Sequence, residues 1–195
     1  MHATPVRITP ACETDVPLVL ALINELAAYE KLQHEVVATE ASLQAALFGA
    51  RPGAEAVIAR IDGEPAGFAL YFHNFSTFLG RRGLYLEDLF VRPVFRGRAV
   101  GRSLLMHLAR LAVERGCGRF EWAVLDWNQP AREFYESLGA EANPAWINYR
   151  VTGAALQRLG ACPSIPRGRD RGGFGLNRGG ADDLGGAQRG GDNDE

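Results

Sequence analysis

Two adjacent carboxylates in the interior of an apolar run constrain this chain more than any other feature. The run Leu84-Tyr85-Leu86-Glu87-Asp88-Leu89-Phe90-Val91 has the length and residue types of a strand. Alternation along a strand sends Glu87 and Asp88 to opposite faces, so at least one must sit in a cleft or meet a partner. A half-buried carboxylate has its pKa raised and can accept a proton near neutrality. After it and Arg92-Pro93-Val94-Phe95 comes Arg96-Gly97-Arg98-Ala99-Val100-Gly101, and then a helix in which Leu104, Leu105, Leu108, Leu111 and Ala112 form one apolar stripe that Gly116 halts. Small residues at a helix N-terminus leave backbone amides and the helix dipole pointing at an anion. The turn lacks the Gly-Lys-Ser/Thr of a Walker loop and the Gly-x-Gly-x-x-Gly of a dinucleotide fold, which leaves a pyrophosphate held without a metal.

The rest of the body supplies a sheet for this segment. Val6-Arg7-Ile8 reads as a short strand. An amphipathic helix follows from Thr14-Asp15 through Val16, Val19, Ile23 and Leu26 to about Tyr29, and a shorter one starts at Thr39-Glu40. Ala56 to Ile61, then Asp62-Gly63, then Ala66 to Phe72 is a β-hairpin, because Asp-Gly supplies the positive φ of a tight turn. Phe120, Trp122 and Val124 alternate as a strand, and Asn128 with Pro130 opens a helix that Gly139 closes. A last strand is expected at Ala145–Val151 and a short helix at Thr152–Leu159. This order describes an α/β (α+β) domain with helices on both faces of its sheet.

Composition sets the limits of that domain. Of 195 residues, the 36 from Gly160 onward hold 11 of the 23 glycines and one aromatic, Phe174, too little apolar surface to offset chain entropy. A folded domain over 1–159 and a disordered tail over 160–195 are therefore expected. A net charge of −2 gives no electrostatic case for a nucleic-acid or membrane-coating protein, and the tail's arginines are matched by acids. Without an apolar span or a basic-then-apolar leader, the expected location is cytoplasmic. Cys12, Cys117 and Cys162 are scattered, as are the four histidines, so neither a disulfide framework nor a metal site is expected.

The acidic strand, the Arg-x-x-Ala-x-Gly turn, and Asn128 ahead of Phe134-Tyr135-Glu136-Ser137-Leu138-Gly139-Ala140 together resemble the GNAT superfamily of acetyl-CoA-dependent N-acetyltransferases. Glu25-Leu26-Ala27-Ala28-Tyr29-Glu30, the strand Leu84 to Val91, and Trp127-Asn128-Gln129-Pro130 extend the likeness to its diamine (spermidine/spermine-like) branch, over about Val6 to Leu159. The resemblance implies the acyl-CoA N-acyltransferase fold, with a mixed, mostly antiparallel central sheet. It also implies acetyl-CoA as co-substrate, a small-molecule amine as acceptor, direct attack in a ternary complex, and a homodimer. Protein Nα- or lysine acetylation, or a non-catalytic acyl-CoA-binding module, are the alternatives.

By the same resemblance Glu87 is the base, through water, and Tyr135 protonates the departing thiolate. Leu89, Phe90 and Val91 offer backbone groups to the acetyl carbonyl and pantetheine arm. Arg96, Gly97, Arg98, Ala99, Val100, Gly101 and Arg102 hold the pyrophosphate, and Asn128 anchors the pantetheine region. Tyr29, Glu30, Glu87 and Asp88 shape the amine pocket. Two departures stand out. Ala99 replaces a glycine of the family turn, which weakens CoA binding if that position needs positive φ. Arg81 and Arg82, just ahead of the acidic strand, would repel a polycation and favour a smaller or carboxylate-bearing amine.

Overall fold

The computed structural model describes residues 5–161. Residues up to Glu141 form one compact unit and those from Ala142 a second. The first unit is built on a five-stranded sheet in the order β1 (Arg7–Pro10), β2 (Glu55–Ile61), β3 (Glu64–Ser76), β4 (Arg81–Val91), β5 (Phe120–Trp122). The first four strands pair antiparallel and β5 joins β4 in parallel. The Asp-Gly turn behaves as its residues dictate, with φ of 53° at Asp62 and 84° at Gly63.

Each sheet face has its own core. On one side α1 (Val16–Glu30) and α2 (Glu40–Phe48) lay Val16, Val19, Leu22, Leu26, Leu43 and Leu47 over Ala56, Ile58, Phe68 and Phe90. On the other, α3 (Val100–Glu114) packs Val100, Leu104, Leu105, Leu108 and Ala112 on Val57, Ala59, Ile61, Ala69, Tyr71, Leu84 and Leu86. Phe134, Tyr135 and Leu138, carried by α4 (Gln129–Glu136) and the turn after it, join that second core. The helix starts are capped as the sequence suggests. Thr39 and Ser42 exchange side-chain-to-backbone bonds of 3.1 and 2.9 Å, and Asn128 Oδ1 accepts from Ala131 N–H at 3.4 Å. Arg92, just past β4, grips Glu25 of α1 with a fork of bonds at 2.6 and 2.9 Å, which ties the C-terminal half of α1 to the end of β4.

Two expectations need correction. Residues 145–151 form no strand. They lie in an irregular, exposed stretch of the second unit, because the nine-residue helix that follows (α5, Gly153–Ala161) buries none of its own side chains and offers no sheet edge to pair with. The expected tail over 160–195 lies outside the described residues from 162 onward. Strand β5 is shorter than its alternation implies, ending at Trp122 instead of reaching Val124, because ladder pairing with β4 stops there. Among the described residues no helix is long and apolar enough to cross a membrane.

Gly67 of β3 has a packing reason. A Cβ at that position would overlap the carbonyl of Phe90 on β4. Gly67→Ala is expected to cost about 1–3 kcal/mol in denaturant unfolding, since the neighbour is backbone and cannot rotate away. Stability equal to the parent's would show that β3 and β4 can part at this point.

Candidate active site

The site grows from the way β4 and β5 separate. They pair only over Leu84–Leu86 and Phe120–Trp122, so the β5-side edge of β4 is open from Glu87 to Val91. Arg92 N–H bonds Ala66 O at 3.0 Å across to β3, and backbone alternation therefore turns the amides and carbonyls of Val91 and Leu89 the other way, into the opening. Those of Phe90 are used by the ladder with β3. The Leu89 and Val91 backbone groups thus lie on the open edge, where the Val91 carbonyl accepts from Arg96 Nε at 3.1 Å.

A register shift makes the acidic pair unequal. Leu70 of β3 faces Asp88 while the next residue, Tyr71, faces Leu86, so Glu87 is the extra residue of a bulge. Strict alternation breaks here. Asp88 shares the α1/α2 face with Leu70 and is half-buried, whereas Glu87 is turned to solvent. Burial, then the charges of Glu87 and Glu30, push the Asp88 carboxyl up to about 6. Glu30, in the last turn of α1, is also half-buried and its pKa is raised by desolvation. Lys31, with φ of 63°, ends that helix immediately afterwards. Among the described residues none of Glu30, Glu87 and Asp88 has an ion-pair partner.

Tyr135 reaches the same place from α4. Its ring packs at 5.1 Å on Trp122 and 5.6 Å on Phe134. Burial, with the nearby Glu30 and Tyr29, raises its pKa, so the phenol keeps its proton throughout the neutral range. Asn128, 8% exposed, caps the helix that carries it. Tyr29 lies between these groups. Its hydroxyl is 3.5 Å from Asn128 Oδ1, its ring 6.3 Å from that of Trp127, and the Arg96 guanidinium stands over it at 4.6 Å. Sequence reasoning missed the contacts of Arg96 and Trp127 with Tyr29 and the packing of Trp122 on Tyr135. Only the adjacency of Trp127 to Asn128 hinted at any of them.

At the other end of the opening, Gly97 (φ 75°) and Ala99 (φ 60°) are both left-handed and lead into the fifteen-residue α3. Alternating left-handed residues before a helix N-terminus gather amides into a concave nest that suits a diphosphate. Gly101 sits against this end of the site, where a Cβ would lie 3.7 Å from Val91 Cγ2 and 3.9 Å from Leu89 and Phe134 side-chain atoms. Arg98 lies over the Phe95 ring at 5.5 Å, and Arg96, Arg98 and Arg102 are exposed. Arg81 and Arg82 behave differently from expectation. They pair with Ser76 and Phe75 at the hairpin end of β4. Arg82 is five residues, about 16 Å of strand, from Glu87, and its charge acts on His73 instead. Within this chain they do not oppose a cation at the acidic groups.

The profile of the Acetyltransferase (GNAT) family matches residues 21–140 of this chain, which therefore belongs to that family. It is an acetyltransferase. It is 39% identical to a thialysine N-epsilon-acetyltransferase of Sus scrofa, over 79% of this chain and 96% of that one. Identity to the L-ornithine N5-acetyltransferase of Arabidopsis thaliana is 33%, over 78% and 87%. Among solved structures, an integron cassette protein of V. cholerae superposes with a TM-score of 0.68 at 28% identity, covering 80% of this chain and 98% of that chain.

Ala99 meets the condition that the sequence left open, since its φ is positive. A left-handed alanine costs about 1 kcal/mol, and the fold carries that cost at Ala99. Ala99→Gly is therefore expected to raise the melting temperature by roughly 2–4 °C while changing CoA affinity less than tenfold, read by thermal denaturation and calorimetry. A gain of tenfold or more in affinity would mean that the loop adopts its strained form only on binding.

Proposed function

We propose that this acetyltransferase moves an acetyl group from acetyl-CoA to the primary amine of a small diamine, polyamine or amino-acid-like amine by direct attack in a ternary complex. The observation that carries this reading is the convergence of Glu30, Asp88 and Glu87, unpaired, with Tyr135 beside the open edge of β4. Unpaired carboxylates favour a cationic acceptor. The relatives named for ornithine and thialysine act on amines of this kind.

Acetyl-CoA supplies the acetyl thioester. The amides of residues 97–102 take its diphosphate, with Arg96, Arg98 and Arg102 adding positive charge, and Asn128 flanks the arm. The Leu89 backbone groups and the Val91 N–H bind along the arm, and an N–H from the Leu89–Val91 edge polarises the thioester carbonyl. An alkylammonium has a pKa near 10 and must lose its proton before attack. Asp88 and Glu87 provide the route: half-buried Asp88 holds the ammonium and accepts its proton, and solvent-facing Glu87 passes the proton to water. Tyr135, protonated at neutral pH, gives a proton to the thiolate as it departs.

Three measurements test the reading. Thiol release from acetyl-CoA should require an amine from a panel of diamines and basic amino acids, and release with none of them would leave a binding module. Tyr135→Phe should lower kcat about a hundredfold with CoA affinity within about twofold. Asp88 is ionised above about pH 6 and neutral below it, so the rate should fall as pH drops through that value. Asp88→Asn should abolish this acid limb, and Glu87→Gln should leave it in place.

We also propose that the chain acts as a homodimer, as the family resemblance implies. The full chain should sediment as a dimer in analytical ultracentrifugation, and a monomer would end this proposal.

A further inference from the structure

Tyr29 touches each of three segments that have separate tasks, and this arrangement is more than an aromatic lining of the amine pocket. Its ring receives the guanidinium of Arg96, which belongs to the loop that leads into the anion nest. The same guanidinium donates through Nε to the carbonyl of Val91 at 3.1 Å, on the open edge of β4. The Tyr29 hydroxyl is 3.5 Å from Asn128 Oδ1, the oxygen that also caps α4, the helix of Tyr135. Trp127 flanks the ring. Glu30 follows Tyr29 in the chain as the last residue of α1, before the left-handed Lys31.

We infer that Tyr29 is a positioning residue that couples the donor site to the acceptor site, with Arg96 as the connecting side chain. A donor held in the nest fixes the 96–102 loop, and the loop fixes Arg96. Arg96 then holds the Tyr29 ring, and the ring sets Glu30 on one side and the α4 cap on the other. A cation over an aromatic face at this distance has an attraction that grows as water leaves the site. Filling the donor site therefore tightens the acceptor site, and by linkage the amine tightens CoA by the same factor. Glu30 acts on the ammonium directly, whereas Tyr29 acts through Glu30 and Asn128.

This inference rests on the acetyltransferase reading but can fail separately from it, because its test needs no turnover. The full chain is titrated calorimetrically with 1,4-diaminobutane and with L-ornithine, in the presence and absence of CoA, which carries no acetyl group to transfer. In the parent, CoA should tighten the better amine about tenfold. Tyr29→Leu and Arg96→Met should each reduce that factor to about two or less, and the double variant should be no worse than either single one. Tyr29→Phe keeps the ring under the guanidinium and should keep most of the factor. Melting temperatures identify any variant that fails to fold, in which case Arg96→Met and Tyr29→Phe alone carry the comparison. A factor near one in the parent, a factor undiminished in Arg96→Met, or no binding of either amine with CoA present would overturn the coupling. Absence of thiol release with intact linkage would instead overturn the catalytic reading.

Discussion

The early parting of β4 and β5 is the constraint on which the site depends. A parallel pair that stayed in register to the end of β4 would use the Leu89 and Val91 amides in its own ladder. It would then have nothing to offer an acyl chain. Stopping the pairing at Leu86 and Trp122 leaves those groups free at an edge, and free backbone groups at a protected edge are binding groups, since they must find a partner. The elements around the opening follow from it. The nest lies just past one end of the edge, the bulge at Glu87 lies at the other, and Tyr135 comes in from α4 on the β5 side.

The bulge adds a second level of control. One extra residue separates two carboxylates that strand geometry would otherwise treat alike. Asp88 stays against the sheet under α1, where loss of water makes ionisation costly, and Glu87 stays in solvent. Raising a carboxyl to about 6 by burial and neighbouring charge works against stability at neutral pH, because the folded state must hold an ion it would prefer to protonate. The unfolded chain ionises the same group without penalty. The penalty grows as pH rises from the ordinary carboxylate range toward 6 and is absent in acid. Two carboxylates with unlike environments can then divide the holding and removal of a proton.

Much of the fold was legible because its signals are local. Capping residues at Thr39 and Asn128, the Asp62-Gly63 turn and the Leu104-to-Ala112 stripe each depend on a few neighbouring residues, and each element formed where its pattern lay. The expected strand at 145–151 failed for the opposite reason. A strand is defined by its partner, and alternation in Ala145 to Val151 states a capacity to pair without supplying an edge. The Arg81-Arg82 argument turns on distance in the same way, since nearness in sequence to an acidic pair became about 16 Å along an extended chain.

What the sequence alone determined is the set of chemical groups. These are acids in an apolar strand, small residues before a long helix, and a tyrosine behind an asparagine cap. The resemblance carried by those residues identified the family before any fold was in view. What only the tertiary structure decided is how those groups differ and connect: which of two acids is buried, which amides remain free, that Ala99 is left-handed, and that Tyr29 stands between Arg96 and Asn128. Residues 29, 96 and 128 are far apart in the chain, and no local pattern encodes a contact among them. Packing α1 on one sheet face and α3 and α4 on the other brings them together.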